Sequence, residues 1–366
     1  MKAIILAAGA STRTYPLTLT RPKPLLPFLN KTIIEYMLDV LRDMGNITDV
    51  ILVVNYKKEM IKDTLGDSYK GMKISYAFQD EPKGTGHGVY CARDYITNQD
   101  GSLLIINGDD IYSREDIARL IENKNSVLVK EVENPSLFGI FETRVKDGKL
   151  IARTLEEKPR SPRSCLANVG AYHFSIDIFK YIGKIKPSRR GELEFTDALR
   201  MYMDWHDIEL VKVQEYWLPI GYPWDLLSAT EKLLDSPVIS EKTNIDDSVI
   251  ISDKTMIDSQ VQIGKDSIIE NSLIFKGARI GKGCVIKNSI IGENVKIEDH
   301  FETMDEAEEL FSDVKGTRVD IERDKFGCVI GDNSQLRKEI TTLPGVKVWP
   351  NITVYNTKSI NNDIKE

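Results

Sequence analysis

Branched aliphatic residues recur at every sixth position in the C-terminal third of the chain. They form three runs, which are Ile251, Ile257, Ile263 and Ile269, then Ile274, Ile280 and Ile286, then Ile291 and Ile297. Glycine directly follows several aliphatic positions, at Gly264, Gly281, Gly292 and Gly331. An α-helix repeats at about 3.6 residues and a strand at about 2, so neither sustains this period. Each hexad can instead form one flat face of a parallel β-helix coil, and the pattern predicts this fold with the aliphatic residues stacked in its core.

The repeat defines a C-terminal domain over residues 237–366, preceded by a first domain over residues 1–236. Between Ile297 and Gly327 the hexads lapse, which predicts an excursion near residues 298–326. The acidic stretch Glu302–Phe311 within it is predicted as a short helix. Coils are expected to resume at Cys328, and the polar tail from Asn356 is expected to fray.

The first two-thirds of the chain has the pattern of an open α/β sheet. Short apolar runs at 4–6, 50–54, 103–106 and 127–129 are typical of buried strands. Between the first two runs, apolar residues over 31–44 recur at helical spacing until Gly45. Strand, helix and strand at this spacing predict a Rossmann-like, mostly parallel sheet, with ligands at the carboxyl ends of its strands.

The net charge, the lack of long apolar runs and the cysteine spacing argue against several classes of protein. The net charge of −7 over 366 residues argues against a nucleic-acid or anionic-membrane surface. Because no apolar run is long enough for a membrane span or a signal peptide, we expect a cytoplasmic protein. Its four cysteines are widely spaced, which suggests neither a zinc site nor a disulfide framework.

The loop after the first strand is suited to binding phosphate. Gly9 and its small neighbours allow backbone N–H groups to approach a ligand. Arg13, Arg21 and Lys23 add three cations, and the prolines around Lys23 stiffen the segment that carries it. The loop has neither the P-loop pattern nor G-x-G-x-x-G. On spacing alone, an ordinary turn with surface cations explains the loop equally well.

A family resemblance favours phosphate binding. The run Leu6-Ala-Ala8-Gly9-x-x-Thr12-Arg13, followed by Pro22-Lys23-Pro24, resembles the signature of the sugar-phosphate nucleotidyltransferases, with Ser11 where a second glycine is usual. The resemblance covers nearly the whole chain and implies that the C-terminal repeat forms a left-handed β-helix. It also implies nucleotide binding by the signature residues Leu6, Ala8, Gly9, Thr12, Arg13 and Lys23.

A second loop offers groups for a nucleotide base. Gln79 precedes a glycine-rich turn at Gly84-Thr85-Gly86. One glutamine amide carries both a donor and an acceptor, which can pair with the edge of a pyrimidine. By itself this is usually just a turn. By resemblance, Gln79, Gly84, Thr85 and Asp109 also bind the nucleotide, and the glutamine favours UTP or dTTP.

An acidic pair follows the apolar run at 103–106. Asp109 would lie at the carboxyl end of that strand, where a carboxylate can hold Mg²⁺ against a triphosphate, or the pair can simply cap a turn. The resemblance makes Asp109 the metal ligand and Asp110 a variable residue. It also calls for a second metal-binding aspartate where this chain has Pro219, so Asp225 is the nearest candidate substitute.

Further polar residues are suited to a phosphorylated sugar. Carboxylate and amide groups bind hydroxyls, and an ammonium binds phosphate. The resemblance assigns hydroxyl binding to Glu157 and phosphate binding to Lys158. Gly139 would line the sugar and Asn168 would hold a sugar substituent. Two further positions match this sugar-binding region, Gly170 and Glu194, although Glu194 could equally cap a helix.

Together these residues imply a Mg²⁺-assisted, in-line transfer of a nucleotidyl group to glucose-1-phosphate or N-acetylglucosamine-1-phosphate, releasing pyrophosphate. The expected catalytic residues are Arg13, Lys23, Asp109 and Lys158. The β-helix is expected to assemble a homodimer or homotrimer. One alternative is a bifunctional enzyme whose β-helix also transfers acetyl groups from acetyl-coenzyme A, although His300 alone provides a histidine there. A second is a catalytically impaired regulatory or scaffold subunit, which Pro219 would explain.

Overall fold

The computed structural model describes residues 1–355 and 357–366. The chain folds as two compact units. The first, unit 1, contains Met1–Ala10 and Ile33–Pro219, and the second, unit 2, contains Ser11–Thr32 and Ile220–Glu366. Segment 11–32, which carries the cations predicted to bind phosphate, therefore groups with the C-terminal part of the chain. The domain boundary after residue 236 stays a prediction.

Seven α-helices are found in the described part of the chain, and they are α1 (Ile33–Asp43), α2 (Lys58–Leu65), α3 (Thr85–Cys91), α4 (Arg114–Glu122), α5 (Phe179–Ile182), α6 (Phe195–Met203) and α7 (Pro223–Leu233). The helix predicted over 31–44 is α1, whose apolar face is fully buried. Gly45 follows it at φ +75°, a conformation that glycine adopts readily. None of the helices in residues 1–355 and 357–366 is long and apolar enough to cross a membrane.

The strands up to Pro219 are β1 (Lys2–Ala7), β2 (Pro27–Phe28), β3 (Lys31–Thr32), β4 (Asp49–Val54), β5 (Ser68–Tyr69), β6 (Met72–Phe78), β7 (Ser102–Asn107), β8 (Asp110–Tyr112), β9 (Ser126–Glu131), β10 (Gly139–Lys146), β11 (Lys149–Glu157), β12 (Leu166–Ser175), β13 (Glu209–Lys212) and β14 (Trp217–Pro219). Ten of them form one sheet in the order β10-β11-β13-β9-β12-β7-β1-β4-β6-β5. The neighbours β7, β1, β4 and β6 are parallel, which confirms the predicted Rossmann-like sheet. β12 runs antiparallel between β7 and β9.

The C-terminal strands are β15 (Val238–Ile239), β16 (Asn244–Ile245), β17 (Ile250–Ile251), β18 (Met256–Ile257), β19 (Gln262–Ile263), β20 (Ile268–Glu270), β21 (Leu273–Ile274), β22 (Arg279–Ile280), β23 (Val285–Lys287), β24 (Ile290–Ile291), β25 (Lys296–Ile297), β26 (Glu302–Thr303), β27 (Phe311–Val314), β28 (Thr317–Asp320), β29 (Val329–Ile330), β30 (Gln335–Leu336), β31 (Thr341–Thr342), β32 (Lys347–Val348), β33 (Thr353–Val354) and β34 (Ser359–Ile360). All except β27 and β28 form three parallel six-stranded sheets. Successive strands alternate among these sheets, as in the predicted left-handed β-helix. Its repeated aliphatic residues form one buried core.

Two local predictions for this region are wrong. Every residue of 302–311 is described and none is helical, because Glu302–Thr303 still pairs as a coil strand. The excursion after it carries the antiparallel hairpin of β27 and β28 instead. The tail does not fray over 357–366, since β34 pairs with β31 and Ile364 bridges to Val348. Asn356 itself lies outside the described residues.

Candidate functional site

The predicted ligand-binding residues of unit 1 lie along one edge of its sheet. β1 pairs in parallel with both β4 and β7, and β4 pairs in parallel with β6. The carboxyl ends of these four strands therefore lie at that edge. Antiparallel pairing brings the end of β11 and the beginnings of β10 and β12 to the same side. The registers are Gly139 with Glu157, Ile140 with Ala167, and Ala171 with Ile106. Residues distant in sequence therefore line the edge at which α/β sheets bind ligands.

A backbone hydrogen bond joins β1 to the turn that carries the acidic pair. The Gly108 N–H donates to the Leu6 carbonyl over 2.8 Å, which places half-buried Asp109 beside the end of β1. The neighbouring Asp110 is buried, and its Oδ2 accepts from Asn107 Nδ2 at 3.1 Å and from the Tyr112 hydroxyl at 3.2 Å. Asp110 is thus held in place, whereas Asp109 is partly accessible.

The Gln79 loop is tightly organised. The buried Gln79 amide donates from Nε2 to the Gly84 carbonyl at 2.9 Å. Gly84 has φ +101°, and a Cβ there would meet the Leu193 carbonyl oxygen at 2.7 Å, so only glycine fits. Thr85 Oγ1 accepts from the Phe195 N–H at 3.1 Å. The predicted base-binding loop is therefore joined to the segment that carries Glu194.

Two carboxylates and one guanidinium form a cluster near the end of β11. Arg190 Nη1 lies 3.6 Å from Glu157 Oε1 and 3.4 Å from Glu194 Oε1. Glu194 stands at the N-cap position of α6, but its described contacts do not cap that helix, and its Oε1 accepts from Ser188 Oγ at 3.2 Å. Burial raises the pKa of Glu157, and the charge of Glu194 raises it further, against Lys158 and Arg190. Burial also raises the pKa of Glu194.

Lys158 and Asn168 flank this cluster. Lys158 is exposed at φ +46°, an unusual conformation for a residue other than glycine, and its N–H donates to the Phe138 carbonyl at 2.9 Å. Asn168 donates to the Tyr172 hydroxyl at 2.8 Å and accepts from the Gly170 N–H at 3.1 Å. The Asn168 amide is thus already oriented by its own strand.

The cations of segment 11–32 have different surroundings within unit 2. Arg13 is exposed and lies over the Tyr222 ring, 5.4 Å from its centroid. Lys23 is 3% exposed and donates from Nζ to the Ile220 carbonyl at 2.5 Å. Arg21, which we expected to bind a phosphate, instead forms ion pairs with two carboxylates of the β-helix, Glu293 and Asp332.

Asp225, the candidate substitute metal ligand, holds the beginning of α7. Its Oδ2 accepts from the Gly221 N–H at 2.7 Å and from the Tyr222 N–H at 2.8 Å. Burial raises the pKa of Asp225, against these hydrogen bonds and the charges of Lys23 and Arg13. No group of three or more His, Cys, Asp or Glu suited to a metal occurs in the described residues. The metal role of Asp225 stays a prediction.

Comparison with known proteins identifies the family. Residues 2–236 match the family described as nucleotidyl transferase. The chain belongs to the nucleotidyl transferase family. Residues 233–364 match the GMPPB C-terminal domain. Both parts of this nucleotidyl transferase therefore have known counterparts.

Several relatives of this nucleotidyl transferase align over its full length. It is 35% identical over 404 residues to the bifunctional protein GlmU of Methanocaldococcus jannaschii, covering 100% of this chain and 96% of that protein. It is 32% identical to a bifunctional sugar-1-phosphate nucleotidylyltransferase/acetyltransferase of Sulfurisphaera tokodaii, covering 100% and 98%. A crystal structure of UDP-glucose pyrophosphorylase with UDP-glucose aligns with a TM-score of 0.57 and 25% identity, covering 62% of this chain and 96% of that one. These similarities support sugar-1-phosphate nucleotidyltransferase activity.

Sequence reasoning missed two residues at the edge of this nucleotidyl transferase's sheet. Asn107 orients Asp110, and Gly170 at φ +78° leaves room for it, since a Cβ at 170 would lie 2.1 Å from Asn107 Nδ2. Arg190 bridges Glu157 and Glu194. Arg190 lies four residues before Glu194, which the resemblance singled out, and this proximity in sequence was the one available signal.

Proposed function

We propose that this protein transfers a uridylyl or thymidylyl group from UTP or dTTP to glucose-1-phosphate or N-acetylglucosamine-1-phosphate, releasing pyrophosphate. The observation that carries the proposal is the shared edge of the unit 1 sheet. The loop after β1 begins at this edge. Gln79 comes after β6, Asp109 comes after β7, and Glu157 ends β11. The registers of these strands bring all of them to one side of the sheet. A nucleotide and a phosphorylated sugar both need polar groups at such an edge.

The chemistry requires positioning and charge neutralisation. An oxygen of the sugar phosphate attacks the α-phosphorus in line, a new P–O bond forms, and the bond to the pyrophosphate oxygen breaks. Because a phosphate oxygen is already ionised at neutral pH, no general base is needed. Lys158 would hold the attacking phosphate, and Arg13 and Lys23 would neutralise the departing pyrophosphate.

The acidic pair fits a magnesium ion. Mg²⁺ is commonly bound by one or two carboxylates together with substrate phosphates and water, so a large all-protein cluster is not required. Asp109 offers a partly accessible carboxylate, and Asp110 lies next to it. We propose that Asp109 holds the ion, with Asp225 as a second candidate. When bound, Mg²⁺ would neutralise phosphate charge.

Base selection is proposed to involve Gln79. Its Nε2 is already donating to Gly84, so the side chain is oriented before a ligand arrives. Nε2 also lies 3.3 Å from His87 Nδ1, so the group offered to a base is Oε1, which can accept from the imide N–H that uracil and thymine share. UTP and dTTP therefore remain the two proposed donors, and the named relatives leave both open.

Pyrophosphate release tests this function directly. The purified chain is incubated with Mg²⁺, each common nucleoside triphosphate including dTTP, and either sugar-1-phosphate. We expect release with UTP or dTTP, and its loss in Asp109→Asn. Asp177→Asn, an exposed aspartate paired with Lys180, is the matched control and should keep full activity. Release with only purine triphosphates would overturn the base assignment, and no release with any pair would overturn the function.

A second activity and the assembly state are separate questions. The two relatives named above carry bifunctional names. Here His300 lies at a corner of a coil, in the left-handed backbone conformation with φ +58°. The ring of His300 lies against Gly283 of the neighbouring coil, where a Cβ would be 2.7 Å from Nδ1. We propose that the β-helix serves self-association rather than acetyl transfer. Free coenzyme A released from acetyl-coenzyme A with glucosamine-1-phosphate would overturn this, and light scattering would give the subunit number.

A further inference from the structure

Two carboxylates stack at the same corner of neighbouring β-helix coils. β24 and β29 pair in parallel, with Ile291 opposite Ile330, so Glu293 and Asp332 occupy equivalent positions two residues further on. The Asn333 N–H donates to the Glu293 carbonyl at 2.8 Å, which continues the ladder around this corner. Adjacent strands are about 4.8 Å apart, so two like charges here would repel each other.

Arg21, from a distant part of the sequence, forms ion pairs with both carboxylates. Its Nη1 donates to Glu293 Oε1, and its Nη2 donates to Asp332 Oδ2 at 2.5 Å. Arg21 is 8% exposed and Asp332 is 4% exposed. Burial would lower the pKa of Arg21, yet the bond to Glu293 and the charges of Asp332 and Glu293 raise it on balance. A planar guanidinium can bind two carboxylates at once, which an ammonium cannot do with the same geometry.

Asp332 is fully engaged in this arrangement. Its Oδ2 also accepts from Thr20 Oγ1 at 2.5 Å, while its Oδ1 accepts from the Glu293 N–H at 2.8 Å. A single buried carboxylate therefore links two coils to each other and to segment 11–32. Removing one partner of such a buried group leaves the others without compensation.

The anchored segment has little internal freedom. Thr14 and Thr18 both donate to the Ser11 carbonyl, at 2.6 and 2.9 Å, and proline follows Arg21 directly. Short 3-10 turns over Thr12–Thr14, Leu17–Leu19 and Lys23–Leu25 account for much of the rest. Because the segment is stiff, an anchor at Arg21 also restrains Arg13 and Lys23.

We propose that Arg21 is a positioning residue through which the β-helix sets how segment 11–32 holds a triphosphate. The inference rests on the proposed function for the roles of Arg13 and Lys23. It makes Glu293 and Asp332 determinants of triphosphate binding although both lie in the β-helix. Because coupling between sites is reciprocal, a bound triphosphate should in turn stabilise the coils that carry Glu293 and Asp332.

The test uses full-length protein with Glu293→Gln, Glu293→Gln combined with Asp332→Asn, and Arg21→Lys. Glu298→Gln is the matched control, because Glu298 also pairs with an arginine of the β-helix, Arg337, on an exposed surface. Pyrophosphate-release kinetics give the KM for each substrate, and hydrogen exchange reports on residues 11–32. Circular dichroism checks that each variant is folded.

We expect the double variant to raise the KM for the triphosphate about tenfold, within the range typical of coupling between sites, with the KM for the sugar phosphate unchanged. Exchange of residues 11–32 should accelerate, Arg21→Lys should be intermediate, and the control should match wild type. An equal rise in both KM values, or exchange in 11–32 no faster than in the control, would overturn the inference. If the wild type releases no pyrophosphate, the proposed function fails, and the exchange comparison still decides whether Arg21 anchors the segment.

Discussion

Pro219 lies directly opposite Asp110 in the antiparallel pair of β14 and β8. Directly opposed residues project from the same face with Cβ atoms about 4.5–5.5 Å apart. The position where the family resemblance calls for a second carboxylate therefore adjoins Asp110, the neighbour of the proposed metal ligand Asp109. Proline has no side-chain oxygen, so it offers the proposed Mg²⁺ no ligand at this position.

Pro219→Asp should strengthen metal binding. A second carboxylate adds an oxygen ligand of the kind Mg²⁺ prefers, so we expect half-maximal activity at about tenfold lower Mg²⁺, equivalent to about 1.4 kcal/mol. The measurement is a Mg²⁺ titration of pyrophosphate release. Pro219→Asn is the matched control, since it restores the N–H and side-chain size without the charge. If both variants titrate alike, position 219 does not reach the metal.

Glu157→Gln should stabilise the fold and impair the reaction. The raised pKa of Glu157, caused first by burial and then by Glu194, means that the folded protein holds this proton more tightly than the unfolded chain. Ionisation therefore costs stability as the pH rises from the ordinary glutamate range through the raised pKa. At pH 7 the variant should melt above wild type, and the gap should close as the pH falls toward about 4.3.

The same variant should lower kcat/KM for the sugar phosphate about tenfold or more, because a hydrogen bond to a charged group is worth roughly 1.5–3 kcal/mol. Glu156→Gln is the control, since Glu156 precedes Glu157 on β11 and is exposed. Melting curves and initial rates across pH provide both readouts. A Glu157→Gln variant that melts below wild type at pH 7 would contradict the sign of the effect.

Lys158→Gln should reduce kcat/KM by roughly a hundredfold, in line with losing about 2–4 kcal/mol of charge stabilisation. Stability should change little, because Lys158 is exposed. Lys149→Gln removes the lysine at the other end of β11, the strand that Lys158 directly follows, and should leave the rate intact. Initial rates at saturating and limiting sugar phosphate separate binding from turnover. Equal losses in the two variants would argue against a role for Lys158.

Gly170→Ala should destabilise the protein by more than its backbone conformation alone explains. Gly170 has φ +78° and a Cβ there would collide with Asn107, whereas Gly148 has φ +75° with open space around it. We expect Gly148→Ala to cost about 1 kcal/mol and Gly170→Ala about 2 kcal/mol more, as for overpacking. Urea unfolding monitored by fluorescence gives both values. Similar midpoints would show that Asn107 yields without cost.

Local periodicity predicts most of the fold, because strand and hexad patterns depend on residues that are close together in the sequence. The hexad repeat predicts the β-helix core, and the helical spacing of apolar residues predicts the helix over 31–44. Features that depend on long-range contacts were not predictable. Nothing near Arg21 in the sequence distinguishes it from Arg13 as a phosphate ligand, since its partners lie 272 and 311 residues away. The stretch Glu302–Phe311, predicted as a helix, instead begins as a strand of the β-helix, because Glu302–Thr303 pairs with residues nearly forty positions later.

The separation of 311 residues between Arg21 and Asp332 also has a consequence for biosynthesis. At about 5–20 residues per second, a ribosome needs roughly 15–60 s to reach Asp332 after making Arg21. During that interval the N-terminal sheet can fold, but segment 11–32 has no β-helix corner to join. Segment 11–32 is therefore among the first residues translated, yet it reaches its final contacts with Glu293 and Asp332 only near the end of synthesis.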